Sequence, residues 1–226
     1  MIKFYYHPSP NPAKVALFLE EAGLEYESVP VDTRKGEQHS PNYRSINPNG
    51  KTPSIVDGEA TIFDSSAILL YLAEKTGRFL PENTPKARGE LFSWLFFVSS
   101  GVGPYSGQAF HFNVAAPEKI EYAINRFAME TKRLLHVLDT QLGKTQYIAG
   151  DEYSIADIAI WPWYGAIMSG AYNAKEFLST QEYHHVARWM DLVGSRPAVQ
   201  RGRRVNSSSV APELRVTERH SAADFG

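Results

Sequence analysis

Three short segments of this 226-residue chain carry side chains suited to holding a small anionic ligand. Ser9 and Asn11 stand where an apolar run, Ile2 to Tyr6, gives way through His7-Pro8 to helical spacing. A hydroxyl and a carboxamide there face the partial positive charge of a helix start, which favours an anion, although turns and N-caps use the same residue types. Thr52-Pro53 precedes a second short run, where proline cannot supply a ladder donor and marks a turn or a cis bond. Such a loop presents the Thr52 amide and carbonyl to an extended, peptide-like ligand. Asp64-Ser65 opens another helix: its hydroxyl and first amides suit a carboxylate, while the acid accepts from an ammonium. An amino-acid head group needs both.

What the chain lacks narrows the chemistry. It has no cysteine, which removes disulfides, thiolate-bound zinc and any covalent intermediate on a protein sulfur. Reactive sulfur must come with a ligand. With 23 Lys+Arg against 25 Asp+Glu the formal net charge is -2, so no general field draws the protein to nucleic acid or anionic membranes. Pro8 interrupts the N-terminus before a leader core can form, and no run of about 18 apolar residues occurs, so a cytoplasmic location is expected. The seven histidines have no spacing that sets two on one helix face, so no metal is expected. Arg201, Arg203 and Arg204 read as a surface or dimer-adjacent contact.

The elements that position these residues divide the chain. Ile2 to Tyr6 predicts a strand, Asn11 as N-cap and Pro12 at the first position predict a helix ending at Gly23, and Tyr26 to Val31 predicts a second strand. Strand, helix, strand at this size makes a right-handed parallel unit. Asp57-Gly58 between two short apolar runs signals a hairpin, and Asp64-Ser65-Ser66 caps a helix ending at Gly77. The first 80 residues are thus a βαβαββα domain. Residues 81–86 read as a linker, and 87–200 as an all-helical domain whose helix at Ile158 opens on the capping box Ser154-Ile155-Ala156-Asp157. From Arg196 onward periodicity is lost, which predicts a surface-draped tail over 201–226.

The ordered set Tyr5-Tyr6-His7-Pro8-Ser9-Pro10-Asn11, Asn47-Pro48-Asn49-Gly50-Lys51-Thr52-Pro53, Asp64-Ser65-Ser66-Ala67-Ile68 and Ser154-Ile155-Ala156-Asp157 resembles a glutathione transferase over nearly the whole chain. Ser9-Pro10-Asn11, Lys35-Gly36-Glu37-Gln38 and Gly107 to Asn113 followed by Ala116-Pro117 resemble the bacterial nu class, whose members reduce disulfides with glutathione. The resemblance implies an α/β thioredoxin-like N-terminal domain, an all-helical C-terminal domain and a homodimer. It further implies that Asp64 and Ser65 hold the γ-glutamyl head group, that Thr52, before Pro53, pairs with the cysteinyl unit, and that Gln38 and Lys51 approach the glycyl carboxylate. Ser9 and Asn11 would sit beside the sulfur, and Arg126 would reach glutathione across the dimer. Ser9 stands where threonine is usual in that pattern, and Asp64 where glutamate is common. Several other classes use a first-strand tyrosine, so Tyr5 and Tyr6 are rival donors, although strand tyrosines are more often core.

The chemical task is to ionise a thiol of reference pKa about 8.5. Lowering it by about two units takes roughly 2.7 kcal/mol of preferential anion stabilisation, within reach of two hydrogen bonds and a helix start. Ser9 and Asn11 would act as donors, with Lys51 and Arg126 adding field and no general base. The thiolate then reduces a small disulfide. Alternatively it attacks an apolar electrophile held by aromatics such as Phe97, Tyr105, Phe110, Phe112, Trp163 and Tyr164, or reduces a peroxide, or the fold serves only as a binding module.

Overall fold

Alternation along β1 (Ile2–Tyr6) buries Ile2, Phe4 and Tyr6 and turns Lys3 to solvent, as a strand covered on one face requires. The computed structural model describes residues 1–169 and 174–207, which group into two units: residues 1–72 with 197–207, and the described part of Ala73–Arg196. In the first unit, α1 (Pro10–Ala22) buries Val15, Leu17, Phe18 and Leu19 and stops at Gly23, whose φ of 66° lies in the left-handed region. The chain returns as β2 (Tyr26–Pro30), parallel to β1. A single turn, α2 (Pro41–Arg44), precedes the cis Thr52-Pro53 bond, β3 (Ser54–Asp57) and β4 (Ala60–Phe63). Gly58, at φ 62°, turns this hairpin, and α3 (Ser65–Thr76) follows.

The sheet order is β2-β1-β3-β4, with β3 antiparallel to both neighbours. Register places the site. Tyr5 pairs with Ser54 and Ser54 with Phe63, so the chain leaving β1, the chain entering β3 and the chain leaving β4 emerge at one end of the sheet. His7 to Asn11, Thr52-Pro53 and Asp64-Ser65 are the residues that follow or precede those strand ends.

The second unit is helical: α4 (Pro85–Phe97), α5 (Gly103–Phe110), α6 (Glu121–Leu142), α7 (Ile155–Met168), α8 (Ala174–Phe177) and α9 (His184–Gly194). Thr84 caps α4, so the connection expected over 81–86 gives up its last two residues to a helix. The capping box at Ser154 and Asp157 forms, and Asp157, fully buried, also accepts from the Ile148 amide at 3.0 Å and Trp189 Nε1 at 2.8 Å. Burial pushes its carboxyl up to about 6 against those donors.

The chain beyond Arg196 corrects an expectation. Pro197–Ser207 forms α10, which packs on α1 within the first unit. Its inner face is Ala198, Val199 and Gly202, all buried, and a Cβ on Gly202 would sit 3.0 Å from Leu17. Arg201, read as surface, pairs through Nε with Glu20 at 2.8 Å. Small residues make this face, opposite the exposed Arg201, Arg203 and Arg204, so the helix is amphipathic without a stripe of large apolar side chains to mark it. The rest of the expected tail, 208–226, lies outside the described residues. No helix among the described residues is long and apolar enough to cross a membrane, and no group of three or more His, Asp or Glu among them is placed to hold a metal.

Candidate functional site

At the start of α1 the N-cap is Ser9, in extended conformation, and Asn11 lies inside the first turn; the expectation that Asn11 caps the helix is thereby corrected. Both asparagine and serine suit a cap, and a proline follows each, so the pattern fits either register. The hydroxyl of Ser9 does not cap; it donates to the His7 carbonyl at 3.3 Å. Pro10 and Pro12 have no N–H, and the Ala13 amide donates to the Ser9 carbonyl. Asn11 is therefore the only residue from 10 to 12 with a backbone donor, and it adds a carboxamide.

The start of α3 is built differently. Asp64 holds φ at 70°, a left-handed conformation that aspartate tolerates better than most residues, and its Oδ1 accepts from the Ser66 and Ala67 amides at 2.9 and 3.1 Å. Its Oδ2 has no hydrogen-bond partner among the described residues, and the side chain is exposed. Ser65 is buried, and its amide, the first of the helix, has no acceptor among the described residues. Its hydroxyl oxygen accepts from Lys14 Nζ at 3.2 Å.

Lys14 is the residue that sequence reasoning missed. Only 2% exposed, it lies one turn before the fully buried Phe18, on the inner face of α1. That position, inside an apolar stripe, was the available sign. Burial pushes the ammonium down to about 7, against the pull of the Asp64 charge.

Between these two helix starts, the Lys51 carbonyl is held by the Tyr43 hydroxyl at 2.8 Å and Asn47 Nδ2 at 2.6 Å. The next residue, Thr52, half-exposed, has neither amide nor carbonyl in a hydrogen bond among the described residues. An antiparallel peptide segment can pair with both. Gln38 is buried, 4% exposed, close to Gly50, with Nε2 3.1 Å from His39 Nε2 and Oε1 unpartnered. Exchanging the amide ends lets Oε1 accept from the imidazole and turns a donor into the open position, which fits a carboxylate.

Ser9, Asn11, Thr52, Pro53, Asp64 and Ser65 thus share one end of the sheet, with Gln38 and Lys51 in the loop beside it. Of the rival tyrosines, Tyr6 is buried and stacks on Phe4, a core arrangement, and Tyr5 packs beside Tyr43. Arg126 belongs to the second unit, exposed on α6, where its charge acts on Glu130. In that unit Phe112 stacks on Phe127 at 5.4 Å with Tyr105 beside them, Trp163 lies against Gly103 and Gly107, and Tyr164 is core.

Comparison with known proteins places this arrangement. The glutathione S-transferase N-terminal domain family matches residues 1–74 and the C-terminal domain family residues 101–197. The chain is 47% identical to the disulfide-bond oxidoreductase YghU of Escherichia coli K12, over 99% of this chain and 81% of that protein. It is 46% identical to the disulfide-bond oxidoreductase YfcG of the same organism, over 88% and 92%. Among solved structures, a Burkholderia graminis glutathione transferase with two glutathione molecules per subunit superposes with TM-score 0.85 and 37% identity, over 90% of this chain and 87% of that one. A Pseudomonas putida glutathione transferase with one glutathione disulfide per subunit gives TM-score 0.85 and 38% identity, over 89% and 90%.

Proposed function

The chain belongs to the glutathione S-transferase family, and from that premise we propose that it binds glutathione at the sheet end of its first unit and uses the thiolate to reduce small disulfides. The observation that carries the reading is the combination at that end of an ammonium and carboxylate grip, Asp64-Ser65, with the open backbone pair of Thr52. A γ-glutamyl head group and a cysteinyl backbone need those two features at adjacent places. Gln38 and Lys51 serve the glycyl carboxylate.

Asn11 stabilises the sulfur anion through carboxamide and amide, with a smaller part for Ser9. Glutathione is a substrate here, consumed twice per turnover. One thiolate attacks a sulfur of the substrate disulfide, expelling the first thiol as its anion, which takes up a proton; a second attacks the glutathionyl sulfur of the mixed disulfide, giving glutathione disulfide and the second thiol. A chain without cysteine has no thiol to compete in that exchange. The names of YghU and YfcG, disulfide-bond oxidoreductases, support the reaction, and the two glutathione molecules in the Burkholderia graminis relative support its stoichiometry.

The reading includes a homodimer, in which Arg126 of one protomer approaches glutathione of the other, and a cytoplasmic setting, where glutathione is kept reduced. The test compares two reactions with glutathione: reduction of a small dialkyl disulfide, followed as glutathione disulfide formed, and conjugation to a chlorinated aromatic. Faster disulfide turnover is expected. Faster conjugation would shift the assignment to transfer onto an electrophile held by the Tyr105, Phe112 and Phe127 group. No affinity for glutathione at millimolar concentration would leave a binding module without this chemistry.

A further inference from the structure

We propose that Lys14 is a positioning residue for the γ-glutamyl carboxylate, its buried Nζ fixing the Ser65 hydroxyl so that the oxygen accepts from lysine and the proton is left for the ligand. The inference rests on the reading that Ser65 holds that carboxylate. A serine hydroxyl has one proton and can rotate it to any acceptor within reach. Here the lysine nitrogen at 3.2 Å donates to the oxygen, which fixes the rotor, and in its ammonium form it also polarises the O–H bond. The adjacent Ser65 amide has no acceptor among the described residues, so amide and hydroxyl form a two-donor grip matched to a carboxylate.

The setting of Lys14 is costly without that use. A lysine buried on the inner face of a helix loses its hydration, and the only hydrogen bond it makes among the described residues is to a neutral hydroxyl. Of the other ionisable groups on the elements of this unit, Glu20 of α1 is taken by Arg201 of α10 and Tyr26 of β2, and Lys3 of β1 is exposed. Asp64 is the charge that acts on Lys14. A ligand carboxylate at Ser65 adds a second negative charge close by, and it draws the lysine towards its ammonium form. Because burial holds the free protein's Lys14 near 7, binding at slightly alkaline pH should take up part of a proton.

The experiment is calorimetry with S-methylglutathione, whose blocked thiol does not titrate, at pH about 7.5 in two buffers of different ionisation enthalpy. The wild type is expected to bind with proton uptake. Lys14→Met should weaken binding about tenfold or more, abolish the uptake, and leave the thermal midpoint of the free protein equal or higher, because a buried charge is replaced by an apolar chain of similar length. In Ser65→Ala the same Lys14 substitution should cost little further affinity, since the two act as one unit. Ser65→Ala alone should reduce the uptake of a chain that still contains Lys14, a readout that stands even where Lys14→Met fails to fold. Equal affinity and uptake in wild type and Lys14→Met, or an equal loss in both Ser65 backgrounds, overturns the inference. A wild type that does not bind S-methylglutathione at all overturns instead the reading of the site.

Discussion

Two helix starts face the same end of the sheet, and they are equipped in opposite ways. At α3 an aspartate in left-handed conformation satisfies two amides, the first amide stays open, and a buried lysine backs the neighbouring hydroxyl. At α1 two prolines within three residues remove backbone donors, and the cap hydroxyl turns to the His7 carbonyl. The contrast suits the two ends of one ligand. A carboxylate is a hard, fixed anion that rewards several preset donors. A thiol is ionised in part, and needs only enough donation to bring its pKa near neutral without trapping the sulfur.

The largest effect should appear at α3. Ser65→Ala removes the hydroxyl donor and leaves Lys14 without its hydrogen bond, so the glutathione KM should rise about thirtyfold or more while kcat at saturation changes little. A comparable fall in kcat with unchanged KM would place Ser65 at the reacting sulfur and dissolve the division of labour between the two helices.

Stability comes next, and its sign follows from Lys14. Its pKa falls from 10.5 to about 7 on folding, so between those values the unfolded chain binds the extra proton and stability increases with pH. This contribution is complete above about pH 10.5 and is lost as pH falls through 7; over pH 7 to 9 it amounts to about 2 kcal/mol. Urea unfolding of the free protein at the two pH values measures it, with Lys14→Met as the reference that should lack this component.

Third is the sulfur. Asn11→Ala should raise the bound thiol pKa by about one unit, equivalent to about 1.4 kcal/mol, read from the ultraviolet absorbance of the thiolate during titration. The backbone amide of residue 11 survives in this variant, so the shift isolates the carboxamide.

How much of this contrast was legible before the structure depends on which groups carry it. Strand residues, the Asp57-Gly58 turn, the Asp64 cap and the Ser154 box announce themselves because local chemistry decides them. The α1 cap was misplaced by two residues because Ser9-Pro10 and Asn11-Pro12 are the same signal twice. Helix α10 was hidden because Ala198 and Gly202 fit against α1 by being small, and Lys14 because a lysine in a helix reads as solvent-facing unless the buried neighbour one turn away, Phe18, is weighed. Tertiary contact decides these, and a local pattern does not contain it.

The smallest effect belongs to Ser9, and it is the sharpest test of the contrast. Its hydroxyl has one proton, committed at 3.3 Å to the His7 carbonyl, a long bond that it must leave in order to face sulfur. The gain from donating to the thiolate is therefore the difference between two hydrogen bonds, whereas the Asn11 carboxamide has two N–H donors and can give one to sulfur while the other keeps a protein partner. Ser9→Ala should raise the thiol pKa by about 0.3 units, roughly a third of the Asn11→Ala shift, with glutathione affinity unchanged. A Ser9→Ala shift as large as that of Asn11→Ala would mean that the hydroxyl rotates fully onto the sulfur. In that case α1 would hold its anion through a preset cap hydroxyl, as α3 does through Ser65, and the two helix starts would follow one design.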